Sequence, residues 1–132
     1  MANTKNIKSN LSLQKLVFEK IEFTRKGFKN EQEPVFKINA TINKKQNEEI
    51  YKVLLTLIGD KQDEYSLEIS LAGFFSFDSN TDLTETQRTD IISKNAIAII
   101  MPYLRSEVSL LTAQPEVDCV TLPPFNVNKI FE

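Results

Sequence analysis

Three successive segments whose apolar residues recur at every second position limit what this chain can fold into more than any other feature. In the first, Phe36, Ile38, Ala40 and Ile42 fall on one side, with Lys37, Asn39, Thr41 and Asn43 on the other. Tyr51, Val53, Leu55 and Leu57 repeat the pattern against Lys52 and Thr56. Tyr65, Leu67, Ile69, Leu71, Gly73, Phe75 and Phe77 form the third set, opposed by Ser66, Glu68 and Ser70. Side chains alternate sides along an extended chain, so each segment predicts a strand with one buried face. The polar residues 44–49, and Gly59-Asp60 with residues 61–64, are turn-length connections. They join neighbouring strands antiparallel.

A further strand precedes these. Leu16, Val17, Phe18, Ile21 and Phe23 are strand formers, and Gly27 with the polar run 29–33 supplies the stop. Residues 1–12 have no period and are expected to be a flexible start, with a single domain over residues 13–132. Past Phe77 the period changes. Asp82 with Glu85, or Thr84 with Gln87, could cap a helix in which Ile91, Ile92, Asn95, Ala96 and Ile99 keep helical spacing. Pro102 lacks a donor and disfavours a helical Met101, so a break is expected there, with a second helix carrying the stripe Leu104, Val108 and Leu111 until Pro115. The fold class is therefore α+β, a four-stranded antiparallel sheet followed by helices packed on it. The tail 117–132 is apolar at Val120, Leu122, Phe125, Val127, Ile130 and Phe131, and Pro123-Pro124 forbids regular structure, so it must lie on something.

At 132 residues and 41% hydrophobic, the chain can bury one core without disulfides or metals. Its 16 basic and 18 acidic side chains give a net charge of −2, which favours neither nucleic acid nor an anionic membrane. No apolar run has the length of a spanning helix and residues 1–12 hold no secretory h-region, so a cytoplasmic protein without membrane insertion is expected. Histidine is absent, which removes the usual general base of Ser-His or Cys-His chemistry. No enzymatic activity, cofactor or metal is expected. Cys119 has no partner for an internal disulfide and is expected to be reduced and buried.

Phe74, Phe75 and Phe77 place aromatics on both faces of the last strand. Either helices cover one face and the tail the other, or one ring meets a subunit interface or a substrate groove. The segment Leu122-Pro123-Pro124-Phe125 is either a strap closing the core or a preorganised apolar wall for a bound peptide. Tyr103 and Arg105 beside Pro102 read as local packing. Glu48, Glu49, Asp60, Asp63 and Glu64 read as solvated turn residues, and the lysines as scattered charges.

From about Leu13 to Phe131, and most closely in its second half, the chain resembles the SecB family of export chaperones. Ala72-Gly73-Phe74-Phe75 is similar to the end of that family's fourth strand. Ile99-Ile100-Met101-Pro102-Tyr103-Leu104-Arg105 resembles the apolar-Phe-Pro-Tyr-Ala-Arg signature that opens its long helix. Leu122-Pro123-Pro124-Phe125-Asn126, followed by Ile130-Phe131, resembles its Leu-Ala-Pro-Val-Asn segment and closing Leu-Phe. The resemblance implies a holdase for unfolded polypeptide clients in protein export, assembled as a tetramer, a dimer of dimers. By matching position it places peptide binding at Phe74, Phe75, Leu122, Phe125, Val127, Ile130 and Phe131. Its oligomer interface falls on Tyr103, Leu104, Val108 and Leu111. The family also contacts the translocase motor SecA through acids on the first strand, where this chain has Lys20 and Thr24. The chain stops at Glu132, where the family continues into a helix and tail, so a shortened groove and no tail contact with SecA are expected. A chaperone dedicated to one client, such as an antitoxin, is a variant in the same class. A structural adaptor that uses the tail only for assembly is a second class, and a small-ligand enzyme would need converging polar groups that no spacing suggests.

Overall fold

The strands β1 (Leu11–Arg25), β2 (Val35–Lys44), β3 (Ile50–Lys61) and β4 (Tyr65–Phe77) form one antiparallel sheet in the order β1-β4-β3-β2. The computed structural model describes residues 11–44, 49–78, 82–125 and 130. Most of the expected flexible start lies outside the described residues, whereas Leu11 and Ser12 already belong to β1.

The alternation of β2, β3 and β4 puts the predicted apolar sets on one face. Phe36, Ile38, Ala40 and Ile42 pair with Gly59, Leu57, Leu55 and Val53, which in turn meet Leu67, Ile69, Leu71 and Gly73. In β1 the apolar residues are spaced irregularly, yet Leu13, Leu16, Phe18, Ile21 and Phe23 all pair with residues of this same face. Register shifts between Leu13 and Lys15 and between Phe18 and Lys20 reconcile the two patterns. Each bulge inserts one residue and returns the next apolar side chain to the core face.

Helix α1 (Glu85–Ile91) opens with Thr84 as N-cap. The Thr84 hydroxyl accepts from Gln87 N at 3.2 Å, and Thr84 N donates to the Gln87 side chain at 2.9 Å. Of the two capping pairs open in the sequence, the structure selects this one. Glu85 then docks the first turn on the sheet by accepting from Tyr51 Oη and Lys44 Nζ at 3.0 and 3.1 Å. A π-helical stretch (Ile92–Ala96) leads without interruption into α2 (Ile97–Thr112), which contains Pro102. The expected break at Pro102 is therefore corrected to one continuous helical segment. Ile97, Ile100, Leu104 and Val108 are fully buried against the sheet. At about 1.5–3 kcal/mol each, they outweigh the roughly 3 kcal/mol cost of an interior proline. Pro102 and Ala98, whose carbonyl loses its donor, are both on the exposed side, where water can replace the bond. The wider π turn lets Ile92 and Ala96 face the sheet together with the α2 stripe.

Leu104 and Val108, expected at a subunit interface, are core residues of the chain itself. They lie on the inward side of α2. Pro102→Ala is expected to raise stability by about 1–2 kcal/mol, the helical gain less the unfolded-state entropy that proline removes. The midpoint of urea unfolding, followed by circular dichroism, measures it.

Candidate functional site

Because β1 pairs with β4 while β2 lies beyond β3, residues 26–34 must cross the end of the sheet. This crossover is tied to the β3–β4 turn by a buried carboxylate. Lys26 N and Gly27 N donate to the Glu64 carbonyl at 2.7 and 3.1 Å. Asn30 N and Lys61 Nζ donate to Glu64 Oε1 at 2.9 and 2.8 Å, and Arg25 Nη1 lies 3.7 Å from Oε2. Asn30 also donates from its side chain to the Gln62 carbonyl at 2.8 Å. A Cβ on Gly27 would fall 2.2 Å from the Asp63 carbonyl oxygen, so only glycine permits the approach. The expectation that Glu64 is solvated is thus corrected, since it is 0% exposed. Burial pushes its pKa up, but hydrogen bonds from Lys61 and Asn30 and the charges of Lys61 and Arg25 outweigh that and hold it below the ordinary 4.5.

A second segment faces the crossover. After Thr112 the chain reverses through Glu116, whose φ of 61° is left-handed, and runs back along α2 as a strap over residues 117–125. Thr112 Oγ1 accepts from Val120 N at 2.8 Å and donates to the Val108 carbonyl at 2.8 Å. Ser109 Oγ donates to the Val120 carbonyl at 3.2 Å. Val117 and Leu122 anchor the strap in the core. The segment expected to need a surface therefore has one. Cys119 is exposed, which corrects its expected burial, although its Sγ lies 3.7 Å from the Ser109 carbonyl of α2.

Strap and crossover are joined by Lys29 Nζ and Asp118 Oδ1 at 2.9 Å. Between them lies a cleft of about 320 Å³, with Asn30 and Pro34 on one wall, Cys119 and Thr121 on the other, and Lys61 and Tyr65 in its lining. Burial, followed by the charges of Glu64 and Asp118, raises the Tyr65 pKa. A second hollow of about 300 Å³ opens further along the strap, where Phe125 meets Ile97, Met101, Pro102 and Arg105. Phe28 projects from the crossover and is 93% exposed. Apolar side chains thus stand at separated points along two segments built from strongly anchored backbone.

The expected peptide-binding set is divided by the structure. Phe125 is half-buried beside a hollow, whereas Leu122 is 3% exposed and Ile130 is buried. Phe75 lies under the helices, while Phe74 points to the opposite face of the sheet. Val127 and Phe131 lie outside the described residues. In the expected interface set, Tyr103 is exposed and Leu111 half-buried. The sequence reading missed the crossover wall and Phe28. Gly27, Asn30 and Pro34 mark it as a loop, but nothing local shows that it crosses the sheet.

On the far face, Lys20 pairs with Glu68 at 3.2 Å and Glu22 at 3.7 Å, and Thr24 is exposed. No helix among the described residues is long and apolar enough to cross a membrane.

The family model described as preprotein translocase subunit SecB matches residues 6–132. Among solved structures, the chain is similar to the Mycobacterium tuberculosis SecB-like chaperone Rv1957 in complex with a ChAD peptide from the antitoxin Rv1956 HigA1. That likeness has a TM-score of 0.74 and 14% identity and covers 95% of both chains. A protein of unknown function from Streptococcus agalactiae is also similar, with a TM-score of 0.51, 8% identity, and 86% of this chain and 96% of that one covered. No curated protein matches.

Glu64→Gln, which leaves Lys61 with a buried charge and a weaker partner, is expected to cost about 3–5 kcal/mol. Because the folded carboxyl has the lower pKa, its contribution is complete above about pH 4.5 and is lost as pH falls below it. Thermal melts from pH 7 to 3 should show a shallower acid loss in the variant than in the parent.

Proposed function

Since the chain belongs to the SecB family, whose model matches it from residue 6 to residue 132, we propose that it is a chaperone that holds unfolded polypeptides and performs no chemistry. The observation that carries this reading is the pair of facing segments, crossover and strap, with Phe28 fully presented on the first and Phe125 beside a hollow on the second, both on firmly anchored backbone. A non-native client offers its apolar side chains one after another along an extended chain. Each that becomes well buried contributes about 1.5–3 kcal/mol, and micromolar affinity needs roughly 8 kcal/mol after ordering costs. Several anchors must therefore be filled together, which selects extended chains over folded proteins. Val127 and Phe131 are proposed to complete the apolar wall, with the buried Ile130 as an anchor beneath it. Phe74 and Phe75 are not assigned to it.

Assembly would multiply the sites. Two surfaces support a dimer of dimers: β1 is a 15-residue edge strand, and the outer side of α2 exposes Tyr103 at 48% and Leu110 at 68%, seven residues apart, with Leu111 beside them. Membership of the family supports a cytoplasmic role in export. Contact with SecA would have to proceed without the exposed acids, because Lys20 and Thr24 occupy those positions. The likeness to Rv1957, solved with an antitoxin peptide, favours a second reading in which one dedicated client occupies the same groove.

The parent protein is expected to suppress light scattering from a chemically unfolded client when present in slight molar excess. Phe28→Asp with Phe125→Asp alters side chains outside the close-packed core and should abolish suppression at unchanged oligomer mass. Leu122→Asp is a poor choice, since it would place a charge at a buried anchor. Failure of the parent to suppress any of several unrelated clients would reject general holding and leave the dedicated reading.

A further inference from the structure

The face of the sheet turned away from the helices is covered by no described element, and one end of it differs in character from the rest. There Lys15, Phe74, Lys52 and Asn43 stand in register on β1, β4, β3 and β2 and form a single row across the sheet. With Gln14, Lys44 and Ile50 they line a hollow of about 500 Å³. Lys15 Nζ and Lys52 Nζ each lie 5.9 Å from the centre of the Phe74 ring. Among the described residues no carboxylate lines the hollow. The carboxylates that hold two of its lysines approach from outside the lining: Glu19 reaches Lys52 at 2.7 Å, and Glu85 and Glu49 reach Lys44 at 3.1 and 3.9 Å.

We propose that this row is a docking site for an acidic segment of a partner protein, with an apolar side chain set between its carboxylates. The chemistry follows from the row itself. Ammonium groups on both sides of an aromatic face attract carboxylates, and Phe74 with Ile50 offers apolar surface to a side chain between them. The dimensions fit an extended peptide. Four strands separated by about 4.8 Å span roughly 14 Å, the length of about four extended residues. Lys15 and Lys52 lie two strand spacings apart, so carboxylates two or three residues apart reach both. A polyphosphate chain fits poorly, because Glu22 and Glu68 face each other further along the same side and the whole chain carries a charge of −2. The row lies on the opposite side of the sheet from strap and crossover. A partner could therefore be engaged while a client is held.

The test uses the full chain and a fluorescein-labelled peptide with a central glutamate-leucine-aspartate flanked by glycine and serine. Its counterpart replaces both acids by their amides. Fluorescence anisotropy at low salt should show binding of the acidic peptide, about tenfold weaker binding of the amide peptide, and loss of affinity as salt rises. Lys15→Glu with Lys52→Glu should lower affinity at least about tenfold, Lys15→Arg with Lys52→Arg should preserve it, and Phe74→Ala should lower it several-fold. Circular dichroism melts and suppression of client aggregation are expected to stay at parental values in all three variants. Equal binding of both peptides to the parent would overturn the proposal, and that comparison does not depend on any variant folding. So would indifference to charge reversal, tighter binding of a single-stranded RNA at the same lysines, or displacement of the peptide by an unfolded client.

Discussion

The order of the strands is the constraint on which the rest depends. With β1 beside β4 and β2 beside β3, residues 26–34 must pass over the sheet end, across roughly 14 Å of strand spacing. The chain has reach to spare, so the path is not set by length. Glu64 sets it: its carbonyl receives two backbone donors from the crossover, and its carboxylate receives a third together with Lys61. A carboxylate fully removed from water is tolerable only with such compensation, and removing one partner exposes the whole desolvation cost. The crossover is consequently a fixed wall, which is what a cleft for an extended chain requires.

The strap is held on similar terms. Thr112 and Ser109, two hydroxyls on one side of α2, take up the backbone of Val120, and Val117 and Leu122 are buried on either side of it. Its exposed positions are thereby fixed in direction without burying their side chains. Wall and strap meet through Lys29 and Asp118, an exposed pair that fixes little on its own. The cleft owes its shape to the two buried anchoring systems beneath that pair.

The sheet was readable from β2, β3 and β4 because period two is unambiguous where one face is buried. β1 was readable only as strand-forming composition. Its apolar residues are spaced by two and three in turn, and that spacing acquires meaning only once the bulges are seen against β4. Pro102 shows the opposite failure. Its local preference is to end a helix, but four buried side chains on the inner stripe outweigh it. Leu104 and Val108 fit an apolar helical stripe equally well as core or as interface, and sequence cannot say which way a stripe faces. Glu64 sits in a stretch of turn residues beside Asp63, and its burial depends on Lys61, Arg25 and Asn30 arriving from three segments. The candidate site was half legible. The strap announced itself by apolar residues around two prolines, while the crossover wall depends on strand order.

The two faces of the sheet carry different physical tasks, and this separation follows from the alternation of side chains. The odd positions at the centre of β3 and β4, such as Val53, Leu55, Ile69 and Leu71, are fully buried, so substitutions there are felt as cavities or overpacking. Most even positions, the buried Ala72 excepted, are partly open to solvent and can carry charge at less cost to the fold. Lys52 and Phe74 are such positions, adjacent in register and one residue from the core residues Val53 and Phe75. A surface on that side can change its partner without disturbing the helix-covered face, where strap and crossover lie. A small chaperone built this way can keep its helix-covered face unchanged while its outer face varies.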